Sequence, residues 1–218
     1  WAYSAYSYVA TYAHGSSNIN PPSPGTDSET LLSVSGAPLS SFSSIISSDA
    51  LRLLRVESRA SVQPGQIRLY AENNARATYI SHMSPQSYVS AATYANSVAR
   101  WSDSFTIDGG ALNGLGHLVA GFRVDGTLAA NYDDSINSRH NVHISDEYRA
   151  RLRLSNPPAG QDVWLEGGQR RYINKDGDRW WAPSGSMPTR APGLWTIAID
   201  FKFGTPISLE MYGDISNR

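Results

Sequence analysis

The sequence contains no cysteine, so neither disulfide bonds nor thiolate chemistry can contribute to this protein. It also lacks any run of roughly 18 or more apolar residues, the length that a membrane-spanning helix requires. Charged residues make up only 17% of the chain and the formal net charge is −1, so no overall field attracts nucleic acid or a membrane surface. We therefore expect no nucleic-acid partner and no transmembrane segment.

Lysine is almost absent as well. Of the 18 basic residues only Lys175 and Lys202 are lysine, and the other 16 are arginine. Arginine forms bidentate and stacked contacts that suit interfaces and anionic sugars, whereas a GC-rich genome is an alternative explanation for the same bias.

Short stretches with a period of two dominate what is present, and they predict β-strands. The clearest are residues 148–155, with apolar side chains alternating with arginines, and residues 194–204, where one face would carry Trp195, Ile197, Ile199, Phe201 and Phe203. A third such stretch places Ile207, Leu209 and Met211 inward. Turn signals recur every 8–12 residues or so. The pattern predicts an all-β fold, an antiparallel β-sandwich of jelly-roll type.

Several boundaries are less certain in sequence. Residues 51–62 and 88–101 fit either a strand or a helix, because both carry helix-compatible residues within an alternating pattern. Two glycine-containing pairs predict breaks between strands. Gly167-Gly168 and Asp176-Gly177 would divide residues 163–181 into three short strands. Asp125-Gly126 predicts a hairpin after a strand that ends near Val124.

The N-terminus differs in composition from the rest. Residues 1–30 are predicted to form an arm and a Pro/Ser-rich linker, and residues 31–218 the sandwich domain. An uncharged aromatic segment is costly to leave in water, so residues 1–13 should lie against something, and we expect them to add as a strand to another copy of the chain. The alternative is that they fold back as the first strand of their own domain. The assembly residues would be Trp1, Tyr3, Tyr6, Tyr8 and Tyr12.

Two segments also resemble a known group of proteins in the identity of their residues as well as in their period. WSDSFTIDGGALNGLGHLVAGFRVDGTLAA (101–130) resembles the W-x-D-x-x-x-I…L-x-G-x-G…F-x-V-x-G-x-L stretch of bacterial secreted proteins with a PEP-CTERM sorting tail. FKFGTPISLEM (201–211) is similar to the F-x-F-G-x-P-x-x-L segment of that group. The resemblance implies an exported Gram-negative protein, sorted by an exosortase and associated with exopolysaccharide or the cell surface. The Val-Pro-Glu-Pro tail itself does not follow in this sequence.

One candidate metal site occurs at a glycine turn. Asn174, Asp176 and Asp178 supply closely spaced side-chain oxygens, the donors that Ca²⁺ prefers. No bidentate carboxylate follows in Arg179-Trp180-Trp181, and Asp-Gly between strands is the usual hairpin turn. We therefore expect a plain hairpin and no cofactor, with a Ca²⁺ site as the alternative.

A second candidate combines aromatic and arginine side chains. Exposed aromatic rings stack on the C–H faces of sugars, and adjacent guanidinium groups bind anionic sugars. Neighbouring residues of a strand point to opposite faces, so one of two adjacent tryptophans should be exposed. The predicted ligand-binding residues are Trp180, Trp181, Tyr172, Arg170 and Arg171. The stripe Arg149, Arg151 and Arg153 is expected to be a solvated face, with a polyanion or subunit contact as the alternative.

No catalytic arrangement is recognisable, because nucleophile elbows and phosphate-binding glycine loops are missing from the sequence. The sequence therefore predicts a non-enzymatic, extracellular or cell-surface structural protein that self-assembles into filaments or layers, as a homo-oligomer or polymer. The alternative is a carbohydrate-binding module for extracellular polysaccharide, and a glycan-active enzyme comes third.

Overall fold

The structure is a computed structural model that describes residues 6–17, 26–33, 37–48, 52–77, 91–109, 114–129, 144–174, 177–181 and 186–217. These residues form twelve β-strands and one short 3₁₀ turn, and no α-helix occurs among them. The strands are β1 Tyr6–Ser17, β2 Thr26–Ser33, β3 Leu39–Ser48, β4 Arg52–Gln63, β5 Gln66–Ala77, β6 Ala91–Thr106, β7 Leu115–Val124, β8 Ile144–Asn156, β9 Gln161–Asn174, β10 Gly177–Trp181, β11 Gly193–Lys202 and β12 Pro206–Asn217.

The strands form three antiparallel sheets. Seven strands make one large sheet in the order β10-β9-β8-β12-β6-β1-β2, and the smaller sheets are β3-β4-β5 and β11-β7. Both small sheets pack on the same face of the large one, each around its own apolar cluster. The predicted all-β antiparallel sandwich is confirmed. The jelly-roll subtype is not confirmed, because the strands divide into seven, three and two rather than into two equal sheets.

The core lies where alternating apolar side chains of facing strands meet. On β8, Leu152 and Leu154 are 2% and 0% exposed, while Arg151 and Arg153, which alternate with them, point to the opposite face. The inward residues of β11 are also buried, and Phe203, just beyond that strand, packs partly buried against the same cluster. The predicted faces are therefore confirmed, since a period of two places every second side chain on one side of a strand. Those inward residues of β11 are Trp195, Ile197, Ile199 and Phe201.

Where the structure describes them, the two segments that fit either a helix or a strand in sequence are strands: residues 52–62 lie in β4 and residues 91–101 in β6. Four of their inward side chains, those of Ser58, Ala60, Ser97 and Ala99, are small, and this allows the two sheets to approach closely there. Ser58 Oγ lies 2.8 Å from Ser97 Oγ, and Ser97 Oγ donates a hydrogen bond of 2.6 Å to the carbonyl of Tyr70 on β5. Ala60 and Ala99 are buried nearby, at 2% and 0% exposure. Pairing across the sheets thus decides a conformation that local propensity leaves open.

Residues 6–17 of the predicted N-terminal arm form a strand of the large sheet, β1. β1 lies inside the large sheet, hydrogen-bonded to β6 on one side and β2 on the other. Val9, for example, is opposite both Ala99 and Leu31. Both edges of β1 are occupied within the chain, which is the arrangement that the fold-back alternative expects, and addition to another copy stays a prediction. Of the predicted assembly residues, Tyr6, Tyr8 and Tyr12 lie on β1, and Trp1 and Tyr3 lie outside the described residues.

Part of the predicted linker within residues 1–30 is strand. β1 continues to Ser17 and β2 begins at Thr26, so strand replaces loop at both ends of the segment. The linker that was expected between an arm and a domain instead lies between two paired strands of one sheet.

One glycine signal predicted a break that does not occur, and another predicted a hairpin that the described residues do not form. β9 runs without interruption from Gln161 to Asn174 through Gly167 and Gly168. A Cβ on Gly168 would lie 2.1 Å from the carbonyl oxygen of Tyr148, so this glycine permits close backbone approach rather than a turn. Likewise, residues 125–129 form no strand after Asp125-Gly126, and β7 pairs with β11 instead.

Candidate functional site

The β9–β10 hairpin carries the residues that the sequence singled out. Gly177 pairs with Asn174, so two residues connect the strands, and the predicted hairpin is confirmed. Residue 176 and the side chains of Asn174 and Asp178 lie outside the described part of the structure, so the Ca²⁺ alternative stays a prediction. Among the described residues no group of three or more His, Asp or Glu side chains is placed to hold a metal ion.

The strand register divides the predicted aromatic and arginine residues between two faces. Trp180 is directly opposite Arg171, whereas Trp181 is opposite Arg170 and residue 179 is opposite Tyr172. Because side chains alternate along a strand, Trp180 and Arg171 share one face, and Arg170 and Tyr172 belong to the other. The sequence therefore grouped residues that the sheet separates. The pair that the structure brings together is Trp180 and Arg171.

Trp180 is the more informative member of this pair. It is 56% exposed although it lies on a regular strand, and the guanidinium carbon of Arg171 is 5.5 Å from its ring centroid. Arg171 also donates a hydrogen bond of 3.1 Å to the carbonyl of Leu128. The segment after β7 thus helps to position the guanidinium, which lies against the indole of Trp180. The result is an exposed aromatic ring beside a fixed cation, at the outermost strand of the large sheet.

A buried carboxylate lies next to this pair. Asp146 on β8 is directly opposite Arg171 and only 2% exposed, and neither carboxylate oxygen has a hydrogen-bond partner in the described part of the chain. Burial raises the pKa of Asp146 to about 6, and the positive charge of Arg171 opposes part of this shift. The interior next to Arg171 is therefore polar, and the charge of Asp146 changes at a pH of about 6.

The arginine stripe of β8 forms a network with β9 on the other face of the sheet. Arg151 pairs with Glu166 at 2.9 Å, and Arg153 pairs with Asp162 at 2.8 Å. Both guanidinium groups also lie over the ring of Trp164, at 5.0 and 4.6 Å from its centroid. The stripe is solvent-facing, as the sequence predicted. Its charges are matched by carboxylates of the same chain, which weakens the polyanion alternative.

Another group of aromatic and arginine side chains was not predicted from the sequence. Phe42, Arg59 and Tyr70 lie directly opposite one another on β3, β4 and β5, on the outer face of the three-stranded sheet. They are 17 and 11 residues apart in the chain, and only the register of three strands aligns them. No spacing motif could have indicated this row. The one available signal was the alternation of 66–72, which predicted a strand there.

No family model, no curated protein and no solved structure matches this chain. The resemblance to PEP-CTERM proteins therefore stays a prediction. In the described part of the chain, no helix has the length and apolar character needed to cross a membrane. The fold and the site together define the class: an antiparallel β-sandwich with aromatic and arginine side chains on its solvent-facing strands.

Proposed function

We propose that this chain is an extracellular carbohydrate-binding module that contacts polysaccharide through the edge of its large sheet. The observation that carries the proposal is the exposed ring of Trp180 with the guanidinium of Arg171 stacked on it. A pyranose ring presents an apolar C–H face that stacks on indole, while its hydroxyl groups accept hydrogen bonds from arginine. Both groups lie on paired strands, so little side-chain freedom is lost on binding.

The extended shape of the site also supports a polymer rather than a small ligand. Trp180 lies on a sheet edge and not in a deep cavity, and a polysaccharide can pass along such an edge with both ends free. Secretion and association with exopolysaccharide, which the sequence resemblance implies, would place the module where such polymers occur.

Affinity electrophoresis of the purified chain in gels containing neutral or acidic polysaccharides tests this proposal. We expect retardation by at least one polysaccharide and its loss in Trp180→Ala. The matched control is Trp164→Ala, which removes a 45% exposed tryptophan whose ring meets two arginines. Equal migration of wild type in all gels, or full retention of binding in Trp180→Ala, contradicts the proposal.

A structural role in a surface matrix is the second candidate, and a specific observation favours it. The outermost strands of the large sheet, β10 and β2, each have no strand partner on their outer side within the described residues. Strand addition between β2 of one copy and β10 of the next would continue the sheet and generate an open filament.

Light scattering at increasing protein concentration tests this second role. Leu32 on β2 is 58% exposed, and Leu32→Lys would place a charge at the proposed contact. We expect wild type to form large species without added ligand and Leu32→Lys to remain small. A monomer at all concentrations contradicts assembly through these edges.

A further inference from the structure

The outer face of the β3-β4-β5 sheet carries an aromatic row whose centre is a cation. The guanidinium carbon of Arg59 lies 5.2 Å from the ring centroid of Phe42 and 5.6 Å from that of Tyr70. Phe42 and Tyr70 are 49% and 42% exposed, so both rings are open to solvent. Because they lie two strands apart, their backbones are about 9.5 Å from each other.

The charged groups beside the row differ in exposure, and the arginines are the exposed ones. Glu57 accepts hydrogen bonds from Arg55 at 2.6 Å and from Arg59 at 2.9 Å. Its side chain is only 7% exposed, whereas those of the two arginines are 47% and 60% exposed. The hydrogen bond from Arg55, foremost, keeps the pKa of Glu57 below its usual value, so the carboxylate remains ionised. The anion thus lies beneath two cations and fixes them in place.

We infer that this row, Phe42–Arg59–Tyr70, is a binding surface for an acidic polysaccharide. The two rings offer stacking faces to sugars, and the guanidinium groups of Arg59 and Arg55 offer paired donors to a carboxylate or sulfate between them. A bidentate contact to an oxyanion needs a planar group held in a fixed orientation, and Glu57 supplies that orientation from below.

Charge density distinguishes this ligand from nucleic acid. Strong nucleic-acid binding neutralises many phosphates with a wide basic surface. Here three arginines on the outer face, Arg55, Arg59 and Arg68, lie among two carboxylates, Glu57 and Glu72, and the carboxylates of Asp27 and Glu29 accept hydrogen bonds along the edge of β3. The surface is therefore not broadly basic, and one guanidinium, that of Arg59, lies between the two aromatic rings. This arrangement fits a polymer whose charges are spaced by sugar rings.

The row goes beyond the proposed function, because it lies on different strands from Trp180 and adds a preference for anionic sugars. The test uses the full chain, with polygalacturonate as the acidic probe, dextran as the neutral one and a single-stranded oligothymidine as the nucleic acid. The variants are Arg59→Gln, the double variant Phe42→Ala/Tyr70→Ala, and Trp180→Ala. Arg123→Gln is the matched control, because Arg123 is exposed on β7 and pairs with Asp125 at 2.8 Å. Thermal unfolding of every variant shows that it is folded.

We expect wild type to bind polygalacturonate more tightly than dextran or oligothymidine. Arg59→Gln and the double variant should each weaken polygalacturonate binding about tenfold or more, since each removes a charged or a stacked contact. Arg123→Gln should bind as wild type does. Tighter binding to oligothymidine, equal binding to dextran, or unchanged affinity in folded Arg59→Gln overturns the inference. If only Trp180→Ala loses binding, the inference is overturned and the proposed function is supported. If Arg59→Gln and the double variant lose binding while Trp180→Ala binds as wild type does, the inference is supported and the proposed function is contradicted.

Discussion

The carboxylate of Glu29 on β2 accepts a hydrogen bond of 2.8 Å from the backbone N–H of Phe42 on β3, and Asp27 accepts one of 2.8 Å from Ser44 in the same way. β3 is an outer strand of its sheet, and its outward N–H groups would otherwise be open to another strand. Two acidic side chains of the large sheet thus take the place of a strand partner, and they join the two layers along one side.

The first prediction concerns Asp27 and Glu29, the two acidic side chains that cap the edge of β3. Asp27→Ala/Glu29→Ala should lower the free energy of unfolding by about 1 kcal/mol per lost hydrogen bond, and it should promote association through the uncapped edge of β3. Denaturant unfolding and light scattering measure the two effects. Asp27→Asn/Glu29→Gln is the control, because each amide retains an acceptor oxygen. A double alanine variant as stable and as monomeric as this control would show that the caps have no such role.

The second prediction concerns pH. The pKa of Asp146 rises from 3.8 to about 6 on folding because the carboxyl is buried. The folded chain therefore binds this proton more tightly than the unfolded chain, and the free energy of unfolding falls as the pH rises from 3.8 to about 6. Above that range the loss amounts to about 2–3 kcal/mol.

Asp146→Asn isolates this contribution from that of Asp214, whose pKa is also raised by burial. We expect the variant to be more stable than wild type at pH 7.5 and equally stable at pH 4, as measured by denaturant unfolding at a series of pH values. Parallel profiles for the two proteins would mean that Asp146 does not titrate in this range.

The third prediction concerns a glycine within a strand. Gly168→Ala should lower stability by several kcal/mol or prevent folding, because the new Cβ would lie 2.1 Å from the backbone oxygen of Tyr148. Gly126→Ala is the matched control, since a Cβ there meets nothing within 4 Å. Thermal unfolding compares them. Equal melting temperatures would indicate that β8 and β9 are farther apart than the structure places them.

The fourth prediction compares one substitution at two positions. Leu154 is 0% exposed in the core, and Leu194 is 71% exposed on the outer face of β11. Leu154→Ala should cost about 2–5 kcal/mol through lost burial and the cavity left behind. Leu194→Ala should change stability by no more than about 0.5 kcal/mol. Similar losses at both positions would mean that another molecule covers the outer face of β11.

Sequence patterns were most reliable where burial is one-sided. The alternation in β8, β11 and β12 identified their inward residues, because a strand between core and solvent must segregate its side chains with a period of two. The same argument placed Trp195 in the core, where it is 3% exposed. It also indicated that one of two adjacent tryptophans would be exposed, as Trp180 is.

These patterns could not predict which strands pair with each other. The apolar, uncharged N-terminal segment was correctly expected to lie against something, but its composition could not say whether that was another copy or β6 of the same chain. Gly167 and Gly168 were wrongly predicted to break the strand, because the sequence does not distinguish a glycine that permits a close backbone contact from one that permits a turn. In each case the missing information was which distant backbone lies alongside.

What the sequence by itself determined is therefore the class of the fold, the inward face of the most regular strands and the hairpin before Trp180. These depend on local alternation and turn chemistry, which neighbouring residues encode. Only the tertiary structure decided that β1 is internal, that Arg171 rather than Arg170 accompanies Trp180, and that Phe42, Arg59 and Tyr70 form one row. Those relationships depend on the register between strands far apart in the chain, and register is set by packing across the sandwich.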